Sequence, residues 1–217
     1  MNLYLLITIL SYTIAPAAII AIKKQRQCRA TYLPFFIYLL AATANEIIST
    51  IIIERGYSNS INSNIYTLIE SLLLIWMFQR WSAGKKRGIY VFLIILIITV
   101  WILDSFIVGS IKQFNCIHRA AYAFMVVMLC GDQLTYIMFN DSHVLRNPRF
   151  IICVAFLIKY TYKTFSETLM AFDPGFSNNF YQGFMFIWVL INAATNLTYI
   201  LAVIWIPRKE RFYITYY

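Results

Sequence analysis

Seven ionisable side chains lie within long apolar stretches of the chain, where charged groups are rare. An ionised group near the centre of a bilayer costs about 2.5 to 3.5 kcal/mol on insertion scales, so it normally faces the interior of a helix bundle. Four of the groups are acids and three are bases, which suits polar ligand binding, proton transfer or internal ion pairing. They are Glu46, Glu70, Asp104, Arg119, Lys159, Lys163 and Glu167.

Helical spacing places several polar side chains on shared faces, because residues three or four positions apart lie on the same side of an α-helix. Lys159, Lys163 and Glu167 form one such stripe. We therefore expect polar faces to meet inside a bundle. Two further stripes consist of Ser63, Thr67 and Glu70, and of Asn192, Thr195, Asn196 and Tyr199.

The composition excludes a water-soluble domain. Hydrophobic residues make up 61% of the 217 residues and charged residues 12%, whereas soluble domains average roughly 45–50% and about 25%. The aromatic content of 18% also excludes a disordered chain, a collagen-like repeat and a disulfide-rich secreted module. The composition predicts a polytopic membrane protein.

Seven stretches are long enough to cross the hydrocarbon core, which takes about 20 mainly apolar residues. They use nearly the whole chain, and short segments rich in turn-forming residues connect them. We therefore expect an all-α fold, with one seven-helix transmembrane domain over residues 1–217 and no soluble domain. The predicted spans run roughly over residues 3–22, 32–53, 64–81, 88–109, 114–139, 150–172 and 180–206.

The basic residues predict the orientation. Of the 18 Lys and Arg residues, 13 fall after the first, third and fifth spans and at the C-terminus, and two fall on the opposite side. The positive-inside rule then places the N-terminus outside and the C-terminus in the cytoplasm, and we expect a bacterial cytoplasmic (inner) membrane. The basic loops would lie against anionic lipid headgroups, so no nucleic-acid partner is expected.

This orientation places most of the ionisable groups in the outer half of the membrane, in one layer that is open or nearly open to the outer aqueous phase. The two asparagines of the seventh span would extend this polar core inward. The sequence therefore predicts a pocket for a small polar ligand or ion, formed by Glu46, Glu70, Arg119, Lys163, Glu167, Asn192 and Asn196.

Packing alone is the alternative explanation for these polar groups. Buried acids and bases also pair to satisfy one another, and buried asparagines form hydrogen bonds between helices. Asp104 is the weakest member of the layer, because it can lie at the membrane interface and be solvated. If several acids share Arg119, its loss should destabilise the protein more than the loss of Lys159.

No residue set matches known metal or cofactor chemistry. Retinal proteins need a lysine in the middle of the seventh span, and none lies between Phe180 and Ile206. Zinc hydrolases need several histidines, whereas His118 and His143 are predicted near opposite membrane faces. We expect no cofactor, no metal site and no obligatory disulfide among the four cysteines. A metal-free chemistry of glutamate and arginine stays open.

Three segments resemble those of an uncharacterised group of small seven-helix bacterial membrane proteins, and the resemblance spans most of the chain. It implies the seven-helix topology and no particular activity. The segments are Asn45-Glu46-Ile47-Ile48-Ser49, Asn62-Ser63-Asn64-Ile65-Tyr66 with Glu70, and Trp205-Ile206-Pro207-Arg208-Lys209.

Four functions are compatible with these features. The first is a receptor-like sensor of a small polar or ionic ligand, which needs a separate cytoplasmic signalling partner because the chain has no soluble domain. The second is a small-solute or proton-coupled carrier that uses Glu46, Glu70 or Glu167 as the titrating group. The third is a homo-oligomeric membrane effector or scaffold, and the fourth is a membrane-embedded enzyme, for which a catalytic set is lacking.

Overall fold

The computed structural model describes residues 8–25, 28, 30–82, 87–172, 175 and 177–207. Within these ranges the chain is all-helical and holds no strand, so the all-α prediction is confirmed for them. The helices are α1 (Ala15–Lys24), α2 (Leu33–Glu54), α3 (Ser60–Trp81), α4 (Arg87–Ile102), α5 (Cys116–Asn140), α6 (Pro148–Phe172) and α7 (Asn178–Trp205).

Short helical turns extend this set, among them 3₁₀ turns over Ala30–Tyr32 before α2 and Val144–Arg146 before α6. A 3₁₀ turn over Tyr12–Ile14 leads into α1, and a π-helical turn over Leu103–Val108 continues α4. Residues 8–11 are also helical, so the first helix is longer than α1 alone.

Five helices are long and apolar enough to cross a membrane, namely α2, α3, α4 with its π-helical turn, α5 and α7. This indicates an integral membrane protein. The spans predicted at α1 and α6 stay predictions, and α6 differs from the five in carrying four charged residues. The orientation also stays a prediction, because many of the basic residues that support it lie outside the described residues. These are Arg26, Arg29, Lys85, Lys86, Arg208, Lys209 and Arg211.

Helix α3 shows a burial pattern that is the reverse of a soluble helix. Three isoleucines are exposed on one side, and the polar side chains of the opposite side are buried. An exposed isoleucine row is unfavourable in water but not against lipid tails, which are equally apolar. The polar side of α3 therefore faces the bundle interior. The isoleucines are Ile61, Ile65 and Ile69, and the buried polar residues are Asn64, Thr67, Glu70 and Ser71.

The helices form a closed ring. Each helix contacts the next one in sequence, and α7 contacts α1. At this closure the Lys24 ammonium donates hydrogen bonds to the carbonyl oxygens of Val203 at 3.1 Å and Ile204 at 2.6 Å. A cation near the C-terminal carbonyls of a helix is stabilising. Helix α3 also contacts α5 across the ring, so these two helices lie towards its centre.

The bundle has two ends, which we name by residues in their connections. The Gly56 end is the end at which α2 finishes and α3 begins, and the Pro148 end is the opposite one. Gly56 adopts a positive φ of 77° in the turn between these helices, which favours glycine. The connection over residues 109–115 also lies at the Gly56 end, because the Ser60 hydroxyl donates to the carbonyl oxygen of Lys112 at 2.5 Å.

Asn64 ties this connection to α3. Its side-chain nitrogen donates to the carbonyl oxygens of Ile111 at 3.1 Å and Gln113 at 2.6 Å. Its side-chain oxygen accepts from the backbone nitrogen of Asn115 at 3.2 Å. Asn64 therefore sets the position from which α5 begins.

Replacing Asn64 should destabilise the protein. The Asn64→Ala variant loses all three bonds, and each buried group left unpaired costs about 1–3 kcal/mol. We expect a lower melting temperature in detergent or nanodiscs. Thr99→Ala is a suitable control, because the exposed Thr99 hydroxyl bonds only to the carbonyl of Ile95 in its own helix. Equal melting temperatures for the two variants would contradict the role of Asn64.

Asp104 stabilises the N-terminus of α5. Its carboxylate accepts a hydrogen bond from the backbone nitrogen of His118 at 2.8 Å, and the residue is buried. An anion near a helix N-terminus satisfies an unpaired N–H and complements the helix dipole. Gly109 lies so close that an added Cβ would be 2.9 Å from the carbonyl oxygen of Asp104. Asp104 is therefore a capping group and not a solvated interface residue.

Candidate functional site

Glu70, on α3, is the centre of a buried polar network. Its carboxylate accepts hydrogen bonds from the hydroxyls of Tyr122 at 2.5 Å, Tyr160 at 2.9 Å and Tyr66 at 3.4 Å. It also forms an ion pair with the Lys163 ammonium at 3.3 Å. A carboxylate has about four acceptor sites, so Glu70 is satisfied by protein groups. It joins α3 to α5 and α6.

Lys163 is embedded in the same network. Its ammonium contacts the Tyr122 hydroxyl as well as the Glu70 carboxylate, and it lies 4.7 Å from the centre of the Tyr122 ring. The rings of Tyr160 and Trp188 each lie 5.9 Å away. Aromatic faces stabilise a cation at such distances, so Lys163 is held by α3, α5, α6 and α7 together.

A second ion pair lies nearer the Gly56 end. The Arg119 guanidinium is 3.4 Å from the Glu167 carboxylate, donates to the Ser63 hydroxyl and lies 4.7 Å from the centre of the Phe114 ring. Both charged side chains are 12% exposed. Among the described residues Glu167 is the only acid paired with Arg119, so the condition that several acids share this arginine is not met in that part of the chain.

The outer cavity lies beside this second pair, near the Gly56 end. Its volume is about 300 Å³, and it reaches from Arg119 and Glu167 to Lys163. Met170 and Phe184, from the end of α6 and the start of α7, also line it. The cavity therefore adjoins the end of the bundle that the sequence predicts to be outside.

The inner cavity lies deeper in the bundle and has a volume of about 140 Å³. Tyr66, Lys163 and Trp188 line both cavities, so these three side chains form the wall between them. The other polar residues that line the inner cavity are Ser11, Glu46, Glu70, Lys159, Asn192 and Asn196.

Two charged groups of the inner cavity have no ion-pair partner. Neither Glu46 nor Lys159 has an opposite charge within 4 Å in the described part of the chain. The Lys159 ammonium is buried and donates only to the Tyr38 hydroxyl, at 3.4 Å. One acid from α2 and one base from α6 thus line a shared cavity, and neither forms an ion pair within 4 Å among the described residues.

Asn196 lines the same cavity and has a buried acceptor without a partner among the described residues. Its side-chain nitrogen donates to the Thr13 hydroxyl at 3.1 Å, which is a hydrogen bond between α7 and the turn before α1. Its side-chain oxygen is buried and has no hydrogen-bond partner among the described residues. Asn192 lines the cavity one helical turn away. Asn196 therefore has both a packing bond and an unused polar atom.

The core on the Pro148 side of the inner cavity is packed with aromatic rings. Phe35 and Tyr38 from α2, Phe156 from α6 and Tyr199 from α7 are all fully buried. Their ring centres lie 5.4–6.3 Å apart, mostly edge to face, which is a favourable aromatic geometry. We call these four rings the aromatic floor.

The structure brings all seven predicted pocket residues to the two cavities. Lys163 lines both, and the other six divide between them. Ionisable groups that converge from separate helices thus occupy two adjoining spaces and not a single layer. The inner cavity has Glu46, Glu70, Asn192 and Asn196, and the outer cavity has Arg119 and Glu167.

The predicted pocket set omitted Lys159 and the aromatic residues of the site. Helical spacing could have indicated them, because Tyr66 lies four residues before Glu70, Tyr160 three before Lys163 and Trp188 four before Asn192. These positions share a face with a predicted pocket residue. Tyrosine and tryptophan are also common at membrane interfaces, so residue type alone did not point to a site.

The donor sets restrict the chemistry. In the described part of the chain no group of three His, Cys, Asp or Glu side chains could hold a metal ion. The four cysteines form no disulfide with one another, and His118 is buried with its ring centre 5.4 Å from that of Tyr122. Comparison of the chain with protein-family models, with curated proteins and with solved structures finds no match.

Proposed function

We propose that this protein is a receptor-like sensor that binds a small polar ligand in the inner cavity, reached through the outer one. The observation that carries the proposal is the pair of oppositely charged side chains, Glu46 and Lys159, that face the inner cavity without ion-pair partners among the described residues. Burying an unpaired charge is costly, and a bound ligand would compensate for that cost.

The paired charges elsewhere in the site support this argument. Glu70 lies within 4 Å of Lys163, and Glu167 lies within 4 Å of Arg119. A bundle that used its charges only for packing would gain stability by pairing the remaining two in the same way. Leaving Glu46 and Lys159 apart across a cavity favours a binding role over the scaffold hypothesis.

The aromatic floor favours a sensor over a channel. Four buried rings pack between the inner cavity and the Pro148 end, so a ligand that enters from the Gly56 end meets a closed surface. A ligand can change the bundle only by binding one arrangement of the helices more tightly than another. We propose that such a shift is transmitted at the Pro148 end to a separate cytoplasmic partner, in a bacterial inner membrane.

A carrier is the second candidate, and a specific observation favours it. The two cavities are adjacent, and Tyr66, Lys163 and Trp188 line both of them. A solute could pass from the outer cavity to the inner cavity, and on to the Pro148 end if the four rings of the aromatic floor moved apart. Reconstituted proteoliposomes distinguish the candidates, because a carrier accumulates a labelled solute inside the vesicle, whereas a sensor binds it without flux.

Thiol labelling tests access to the cavities. In a variant with the four native cysteines replaced, we expect Ser63→Cys in the outer cavity to react rapidly with a membrane-impermeant thiol reagent. Ala42→Cys in the inner cavity should react more slowly from the same side of the membrane. Leu39→Cys is the matched control, because Leu39 is buried one turn from Ala42 and lines neither cavity.

The labelling results also test the orientation. Reaction from outside the cell supports a ligand path from the Gly56 end. If Ala42→Cys reacts no faster than Leu39→Cys from either side, the inner cavity is closed to solutes and the proposed function is contradicted.

A further inference from the structure

The charged groups of the site fall into two sets. One set has an ion-pair or capping partner in the protein, and the other set has none within 4 Å among the described residues. The Lys163 ammonium forms an ion pair with the Glu70 carboxylate, and the Arg119 guanidinium forms one with the Glu167 carboxylate. Asp104 is used at the N-terminus of α5. One carboxylate and one ammonium remain in the described part of the site, on Glu46 and Lys159, and both line the inner cavity.

Lys159 has free hydrogen-bonding capacity. An ammonium has three N–H donors, and the described structure uses one of them, in the 3.4 Å bond to the Tyr38 hydroxyl. The other two N–H groups have no partner among the described residues, and the ammonium belongs to a residue that lines the inner cavity. A carboxylate in the cavity would supply both the opposite charge and two acceptor oxygens.

Asn196 lines the same cavity, and the orientation of its side-chain amide is determined by its neighbour Thr13. The Thr13 hydroxyl donates its only proton to the carbonyl oxygen of Leu10 at 2.6 Å. It can therefore only accept from Asn196, which places the amide nitrogen towards Thr13 and leaves the oxygen without a partner. A buried acceptor without a donor is destabilising, so the polar lining of this cavity is not fully satisfied within the described residues.

We infer that the ligand is a small zwitterion that carries a carboxylate and a protonated primary amine, as a small amino acid does. Its carboxylate pairs with Lys159, and its ammonium pairs with Glu46. The cavity volume of about 140 Å³ limits the ligand to a few heavy atoms. This inference rests on the proposed function and narrows it to one chemical class.

Charge balance distinguishes this class from simpler ions. A lone carboxylate would neutralise Lys159 and leave Glu46 unpaired, and a lone amine would do the reverse. A zwitterion satisfies both and adds no net charge to the membrane interior, where uncompensated charge is costly.

Calorimetry with the full chain in nanodiscs tests the inference. The probes are glycine and L-alanine as zwitterions, acetate and methylamine as single charges, and glycine betaine, whose trimethylated nitrogen has no N–H. We expect glycine or alanine to bind at least tenfold more tightly than each of the other three. Equal affinity for glycine and betaine would overturn the inference that the cation of the ligand is a protonated primary amine that donates N–H bonds.

Charge-neutralising variants locate the site. Glu46→Gln and Lys159→Gln should each lower the affinity for the bound zwitterion at least tenfold. Glu54→Gln and Lys112→Gln are matched controls, because these residues are exposed at the Gly56 end and line neither cavity. Melting curves show whether each variant is folded, and Lys159→Arg should retain more binding than Lys159→Gln. Unchanged affinity in both cavity variants would overturn the inference.

The outcomes separate this inference from the proposed function. Acetate or methylamine could bind as tightly as glycine, with the cavity variants weakening that binding. This result would overturn the zwitterion inference and support the proposed function, the binding of a polar ligand in the inner cavity. If no probe binds, the zwitterion inference is overturned, and the labelling of Ala42→Cys decides the proposed function by itself.

Discussion

Glu70→Gln should destabilise the protein more than any other acid-to-amide substitution in the site. The change leaves the Lys163 ammonium buried without its counter-ion, and it turns a charged acceptor of three tyrosine hydroxyls into a neutral amide. Removing one partner of a buried ion pair costs about 3–5 kcal/mol. Denaturant or thermal unfolding in detergent measures the loss, and ligand binding or flux should be abolished in the protein that still inserts.

A double variant tests the reason for this loss. Glu70→Gln with Lys163→Met removes both charges, so it should recover part of the stability that the single substitution loses. Glu54→Gln on the exposed end of α2 is the control for a neutralised acid and should unfold like the wild type. A loss below about 1 kcal/mol for Glu70→Gln, the net value of an ordinary hydrogen bond, would contradict the central role of this carboxylate.

Lys163→Met should destabilise the protein more than Arg119→Met. Lys163 is the ion-pair partner of Glu70, which is 2% exposed, whereas the Arg119 and Glu167 side chains are each 12% exposed. Removing the base leaves a fully buried carboxylate unpaired in the first case and a cavity-facing one in the second. The expected costs are about 3–5 kcal/mol for Lys163 and clearly less for Arg119, because water screens exposed pairs.

Lys159→Met completes the comparison. Lys159 has no ion-pair partner among the described residues, so replacing it should cost the least of the three. Unfolding curves of the three variants, recorded in one detergent, give the order. A larger loss for Arg119→Met than for Lys163→Met would contradict the pairing in the structure and restore Arg119 as the shared base.

The helices could largely be predicted from the apolar pattern, because a span must be long and apolar to replace water by lipid. The clearest difference is the start of α3, which begins at Ser60 and not at residue 64. Residues 60–64 are mostly polar, so the apolar pattern did not include them. They are helical because Ser60 and Asn64 bond to the connection over residues 109–115, and that contact is invisible to local hydropathy.

The members of the site could be predicted for a related reason. An ionisable side chain in an apolar span is costly unless it faces the interior, so Glu46, Glu70 and Lys163 were expected inside the bundle, and all three line the inner cavity. The pairing could not be predicted. Whether Glu70 meets Lys163 or Arg119 depends on the rotation and depth of α3, α5 and α6, and spacing along one helix carries no information on these.

Taken by itself, the sequence determines that this chain is helical, that it belongs in a membrane and that its polar groups point inward. These properties follow from residue type and from the periodicity of the α-helix. The free-energy cost of placing a charge or an unpaired backbone group in lipid depends on the sequence of each helix alone. The tertiary structure decides which charges are satisfied. It pairs Glu70 with Lys163, uses Asp104 at a helix terminus, and leaves Glu46 and Lys159 facing one cavity. Those contacts depend on the relative positions of separate helices.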